Sequence, residues 1–198
     1  ALSNNSVAYT DKPDGETFLR EWASLVESKS GERGIFNRVS AKKQVEKHGR
    51  RDHNHEFGTN PCSEIILRPY QFCNLTEVVV RAEDNIDTLA RKVELATILG
   101  TVQSTLTNFP YLRKIWKHNT EEERLLGVSL TGIMDNPLTN GTKNGLEQAL
   151  EHLRNVSIKT NAEWSQKLGV PMSAAITCVK PSGTVSQLVD SASGIHAR

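Results

Sequence analysis

Cysteine is scarce in this sequence. Three residues in 198, Cys62, Cys73 and Cys178, are too few and too widely spaced for the disulfide framework of a secreted scaffold, and an odd number leaves one unpaired. The thiols are expected to be buried or chemically used. Long apolar runs are missing too. Nothing approaches the roughly 18 to 20 consecutive apolar residues that cross a bilayer. The opening ALSNNSVAYTDKPDGE carries no charged stretch followed by an apolar one, so it does not read as a signal peptide. A soluble, cytoplasmic chain with no membrane partner is expected. Charge of one sign does not dominate either. Lys plus Arg number 24 against 23 Asp plus Glu, which excludes the basic footprint of direct nucleic-acid binding.

What is present suffices for one core, since 37% of residues are apolar. Phe18, Trp22, Leu25 and Val26 recur at helical spacing within Asp14 to Ser28, and Ser30-Gly31 with Gly34 supply a stop. Residues 41 to 55 are strongly polar, with Val45 as their one apolar anchor, and read as a solvated helix end or loop. Residues 64 to 68 and 72 to 80 read as two strands across a turn at Pro69. Asp87 opens a long periodic helix through Leu106, closed by Asn108 and Pro110. Thr120 and Glu123 form a capping-box pattern ahead of the apolar run from Leu125 to Ile133. Another helix runs from about Asn144 to Leu168, stopped by Gly169 and Pro171. Ile176 to Lys180 has strand character, and Val185 to Val189 is a further apolar stretch. The sum is an α/β layout without repeats or low-complexity linkers.

Two short segments concentrate chemistry. Gly58 to Glu64 (GTNPCSE) gathers an amide, a thiol and a carboxylate within five residues, and such compact polar loops carry function more often than packing. Asn60-Pro61 is also an ordinary turn dipeptide, and cysteine is commonly buried, so a plain turn is the competing reading. His53, His55, Cys62 and Cys73 are zinc-compatible types, but their spacing lacks the paired C-x-x-C knuckle of common structural sites. The second segment, residues 180 to 186 (KPSGTVS), follows an apolar run. A glycine and hydroxyl loop of this kind can offer amides and hydroxyls to an anion, or can be a simple strand turn. It lacks the lysine-threonine ending of a Walker loop.

Taken together, NPCSEI, the FCNL that places Cys73 eleven residues past Cys62, and KPSGTVSQLVDSASGIHAR resemble the adenosylcobalamin-dependent, class II, monomeric ribonucleoside-triphosphate reductases. The SNNSVAY opening and SGERGIFNR, with Asn37 near its end as a packing and turn element, match as well. The resemblance implies that residues 1–198 form a single, partial catalytic domain, one piece of a ten-stranded α/β barrel, with a finger loop at about 58–64 and a phosphate loop at about 181–186. It implies Cys62 as the thiyl radical site, Glu64 as general base and Asn60 as a substrate-orienting amide. Cys73 matches one member of the redox-active cysteine pair, whose partner lies outside this chain. Ser182, Gly183, Thr184 and Ser186 become the substrate phosphate ligands. His196 falls in the same family segment without a role.

The grouping has a physical reason. Loss of a ribose 2'-hydroxyl needs a hydrogen-atom abstractor at C3', and a cysteine S–H bond is close enough in strength to a sugar C–H bond for reversible exchange. A neighbouring carboxylate, with an ordinary pKa of about 4.3 and so ionised at neutral pH, can take the 3'-hydroxyl proton. An amide can hold a hydroxyl without adding charge. The resemblance further implies reduction of ribonucleoside triphosphates to deoxyribonucleotides for DNA synthesis, adenosylcobalamin as cofactor, a thioredoxin-type reductant, and a deoxynucleotide effector bound outside this chain. No metal ligands are assigned. The iron-dependent class of the same enzymes spaces the strand cysteine farther away. A non-catalytic nucleotide-binding or zinc-binding module remains the other reading. Cys178, between Thr177 and Val179, does not match the redox position and reads as a buried structural cysteine. The fragment is not expected to turn over alone.

Overall fold

In the computed structural model, residues 6–29, 34–194 and 196 are described, and the chain divides into two compact units between Pro69 and Tyr70. The SNNSV opening, the Ser30-Gly31 stop and Arg198 lie wholly or partly outside the described residues.

The first unit opens with strand β1 (Ser6–Tyr9), helix α1 (Gly15–Ser28) and strand β2 (Gly34–Asn37), and the two strands pair in parallel. Asp14 starts α1 as its cap, accepting from the Thr17 amide at 2.9 Å, as the periodicity predicts. Helix α2 (Arg38–His48) is capped by Asn37 and ends at Gly49 in the left-handed region. The polar stretch from residue 41 is thus helical over its first half, with Val45 buried as its anchor. Val45, Ala41 and Phe57 form a small core, covered by Phe36 and Ile66. Phe57 is 1% exposed. Its carbonyl accepts from Arg38 Nε at 2.9 Å, and the Arg51 guanidinium stacks 4.7 Å over its ring. This fixed point precedes a hairpin of β3 (Gly58–Thr59) and β4 (Ile66–Leu67). The strand expected over 64 to 68 is therefore only its central pair, because residues 60–65 are spent on the hairpin loop.

The second unit is built on β5 (Asn74–Val79) and β6 (Leu126–Thr131), paired in parallel from Asn74↔Leu126 to Val79↔Thr131. Their crossover contains α3 (Ile86–Gln103), opened by a full capping box at Asn85 and Thr88, and α4 (Lys114–Glu123). The sequence pattern at Thr120 and Glu123 is not a cap ahead of a helix. Both residues sit in the last turn of α4, Arg124 adopts a left-handed conformation that ends it, and the apolar run beyond is the buried strand β6. Burial on both faces, not helical periodicity, explains the near-continuous apolar letters. A short 3-10 turn, Ile133–Asp135, follows β6, and then α5 (Leu146–Leu168) ends at Gly169 as expected. Ile176 to Cys178 adds a third parallel segment beside β6, through Val128 N–H to Ile176 O at 2.8 Å and Cys178 N–H to Val128 O at 3.1 Å. Val185 to Val189 contains a single helical turn, α6 (Val185–Leu188).

The core of this unit is Val78, Val80, Leu89, Val93, Ala96, Leu126, Val128, Leu153 and Ile176. Full burial of each aliphatic side chain contributes about 1.5–3 kcal/mol. The fold class is α/β, and the described residues close no barrel. Among them no helix is long and apolar enough to cross a membrane.

The turn from β5 into α3 is locked by Asp84, whose side chain is 6% exposed. Burial pushes its carboxyl up, but hydrogen bonds from Lys92 at 2.6 Å, the Arg81 amide and the Thr88 hydroxyl outweigh that and hold it below the usual carboxylate range. A carboxyl depressed on folding stabilises above its unfolded pKa of about 3.9, and that contribution is lost as pH falls through the folded value. Asp84→Asn should therefore cost about 1–3 kcal/mol at neutral pH and flatten the loss of stability below about pH 4. Urea unfolding at pH 7 and pH 3 checks this, and equal losses at both would refute it.

Candidate functional site

The hairpin loop between β3 and β4 holds Asn60, Cys62 and Glu64 together. Asn60 organises it. Its amide donates to Ile65 O at 3.3 Å, its carbonyl accepts from Ser63 N at 3.0 Å, and its side-chain Oδ1 accepts from Ile65 N at 3.0 Å. One end of the amide is thus consumed by the loop, leaving Nδ2 as a donor. Ser63 takes a positive φ of 63° to close the turn, with its Oγ 3.4 Å from Thr59 Oγ1. Cys62 is exposed at the tip, and Glu64 is half-buried. Beside the loop lies a cavity of about 300 Å³ bordered by Ser6, Ala8, Phe36, Thr59, Asn60 and Pro61. The arrangement is a rigid turn that presents a thiol, not a turn that buries one.

In the second unit, the chain leaving Cys178 folds back over the sheet. Lys180 N–H donates to Ser129 Oγ at 2.9 Å, and Ser182 Oγ donates to Glu77 Oε1 at 2.6 Å. Ser182 is buried, with φ at 57°, so its hydroxyl is directed to the sheet. Gly183 and Thr184 are exposed, and their amides have no protein acceptor among the described residues. Ser186 is buried, with its Oγ 3.3 Å from Gly183 O. Gly183 and Ser186 border a cavity of about 440 Å³ together with Gln187, Asp190, Ser193 and His196. Ser193 Oγ accepts from the His196 amide at 2.9 Å and lies 3.1 Å from Nδ1 of its ring. Free amides beside hydroxyls suit an anion.

Cys73 is half-buried and directly precedes β5. Cys178 is half-buried rather than fully enclosed, and borders a separate apolar cavity of about 350 Å³ with Val93, Val128, Leu153 and Val179. The zinc alternative finds no support, since no three His, Cys, Asp or Glu side chains are grouped to hold a metal ion among the described residues. His55 instead lies 3.7 Å from Asp52. Sequence reasoning missed Glu77 and Ser129, which seat residues 180–182 on the sheet. A carboxylate inside the apolar run of β5 was the available signal.

No family model matches the chain. An adenosylcobalamin-dependent ribonucleoside-triphosphate reductase of Lactobacillus acidophilus is 30% identical over 70% of this chain and 22% of its own length. That of Lacticaseibacillus paracasei is 28% identical over 98% of this chain and 29% of its own. A probable enzyme of the same name from Dictyostelium discoideum is 28% identical over 71% of this chain and 18% of its own. The crystal structure of a B-12 dependent (class II) ribonucleotide reductase superposes with a TM-score of 0.72 and 26% identity, over 96% of this chain and 30% of that one. The chain is a homologue of part of a ribonucleotide reductase. More narrowly, its relatives are adenosylcobalamin-dependent ribonucleoside-triphosphate reductases, and it spans less than a third of their length.

Proposed function

We propose that this chain carries the radical cysteine, the general base and the phosphate loop of a class II ribonucleoside-triphosphate reductase. The observation that carries the reading is the exposed Cys62 thiol on a loop braced through Asn60, in a chain related over nearly its full length to that family. Cys62, as a thiyl, takes the hydrogen atom from C3' and returns it at the end of the cycle. Glu64 accepts the 3'-hydroxyl proton, and the 2'-hydroxyl leaves as water once protonated. Asn60 orients the ribose through Nδ2, the end of its amide not engaged by Ile65. Cys73, with a partner cysteine outside this chain, supplies two electrons and two protons and closes to a disulfide, which a thioredoxin-type dithiol reopens.

Gly183 and Thr184 bind the phosphates through their amides, and Ser186 lines the same cavity. Ser182 contributes through the turn it shapes, since its hydroxyl is held by Glu77. An exposed tip thiol fits a cofactor approaching from outside the chain, and no residue here is assigned to hold adenosylcobalamin. When bound, that cofactor supplies the homolytic chemistry that converts a thiol to a thiyl. A deoxynucleotide effector would act from a site elsewhere in the complete protein.

The test is direct. The complete protein, given adenosylcobalamin, a dithiol and a ribonucleoside triphosphate, should yield the deoxynucleotide in a cofactor-dependent manner. Absence of product with every component present overturns the reading.

A further inference from the structure

The phosphate loop is seated on one particular face of the sheet. A Cβ built on Gly100 of α3 would meet Leu126 Cδ2 at 3.4 Å and Thr76 Cγ2 at 3.6 Å, so α3 packs on the face that carries Thr76 and Leu126. Val78, Val80 and Val128 follow on that face by the two-residue alternation of strands, and all three are core residues. Leu75, Glu77 and Ser129 therefore occupy the opposite face. Cys73 directly precedes β5, whose first residue, Asn74, lies three residues before Glu77.

Glu77 and Ser129 are direct register partners across β5 and β6. They take hold of the returning chain two residues apart, Ser129 through the Lys180 amide and Glu77 through the Ser182 hydroxyl. The loop thus crosses β6 and is fastened on β5, the strand that begins next to Cys73. Glu77 Oε2 is itself buried without a hydrogen-bond partner among the described residues. Its other oxygen, Oε1, is the acceptor that holds the Ser182 hydroxyl.

We infer that Glu77 is a positioning residue, which fixes the phosphate loop to the cysteine-bearing strand through Ser182 and so sets where a bound triphosphate lies. This rests on the proposed reading of residues 182–186 as the phosphate loop. Glu77→Ala and Ser182→Ala, made in the complete protein, should each weaken ribonucleoside triphosphate binding about ten-fold, raising KM with little change in kcat. The double variant should be no worse than either single one, because both remove the same bond. Glu77→Gln keeps an acceptor for Ser182 and removes the charge, so its binding should equal or exceed that of the wild type.

Equilibrium dialysis with the triphosphate, beside steady-state kinetics, reads all four proteins, and Ser182→Ala stands in if Glu77→Ala does not fold. Wild-type affinity in both alanine variants, additive losses, or a Gln variant as weak as the Ala variant would each overturn the inference while leaving the reductase reading intact. A wild-type protein that binds no triphosphate would instead refute the phosphate loop itself, and this inference with it.

Discussion

A Cys62→Ser variant of the complete protein should form no deoxynucleotide and still bind ribonucleoside triphosphate with wild-type affinity. The exchange replaces one exposed atom at a loop tip whose bracing comes from Asn60 and Ile65 rather than from the thiol. A surface substitution of this kind changes stability by no more than about 0.5 kcal/mol. Chemistry is another matter. A serine O–H bond is much stronger than the C–H bond at the ribose 3' position, so an oxygen radical could not be regenerated reversibly, and the hydroxyl cannot serve as the hydrogen-atom shuttle. The loss should appear entirely in kcat. Product from the serine variant would move the chain to a non-catalytic nucleotide-binding role, whereas loss of binding together with loss of turnover would mean that the loop serves as a structural contact. Dialysis and a product assay on one preparation separate these results.

How much of this was legible beforehand differs between local and tertiary features. Helices α1, α3 and α5 were readable from their apolar period, and α5 also from its Gly169 stop, although α3 begins at Ile86, before the Asp87 expected to open it, and ends at Gln103, short of the expected Leu106. Strand β6 was not, since Thr120 and Glu123 imitate a helix start while the left-handed turn at Arg124 that redirects the chain has no glycine to announce it. Asn60, Cys62 and Glu64 stood together in sequence and share the β3–β4 hairpin loop. For residues 182–186 the sequence pointed to a hydroxyl-rich loop but not to which of its hydroxyls the sheet engages. Which hydroxyl faces an anion and which faces the sheet depends on Glu77, more than a hundred residues upstream of Ser182, and no local pattern encodes a partner that distant. The same holds for Asn60, whose Oδ1 is occupied by Ile65 and whose remaining donor end becomes apparent only with the hairpin formed.

Gly194→Ala should lower kcat/KM for the triphosphate sharply, although residue 194 is assigned no contact with a reacting group. Its amide donates to Pro181 O at 3.1 Å, and a Cβ placed on it would lie 1.8 Å from Lys180 O and 3.3 Å from Ser182 Oγ. The nearest obstacle is backbone, not the flexible end of a side chain, so the contact is relieved only if the strand end at Lys180 moves by about 1 Å. That motion is opposed by Ser129 on the Lys180 amide and by Glu77 on Ser182, and displacement of either frees the loop. A misplacement near 1 Å at a substrate anchor can cost roughly a hundred-fold in rate. We expect a fall of about that size in kcat/KM for the triphosphate, carried mainly by KM, with a lower Tm. Gly15→Ala, in α1 where the added methyl meets no packing neighbour within 4 Å among the described residues, is the matched control and should behave as wild type. Wild-type kcat/KM in Gly194→Ala would show that the loop yields without consequence and would refute the rigid seating described for it.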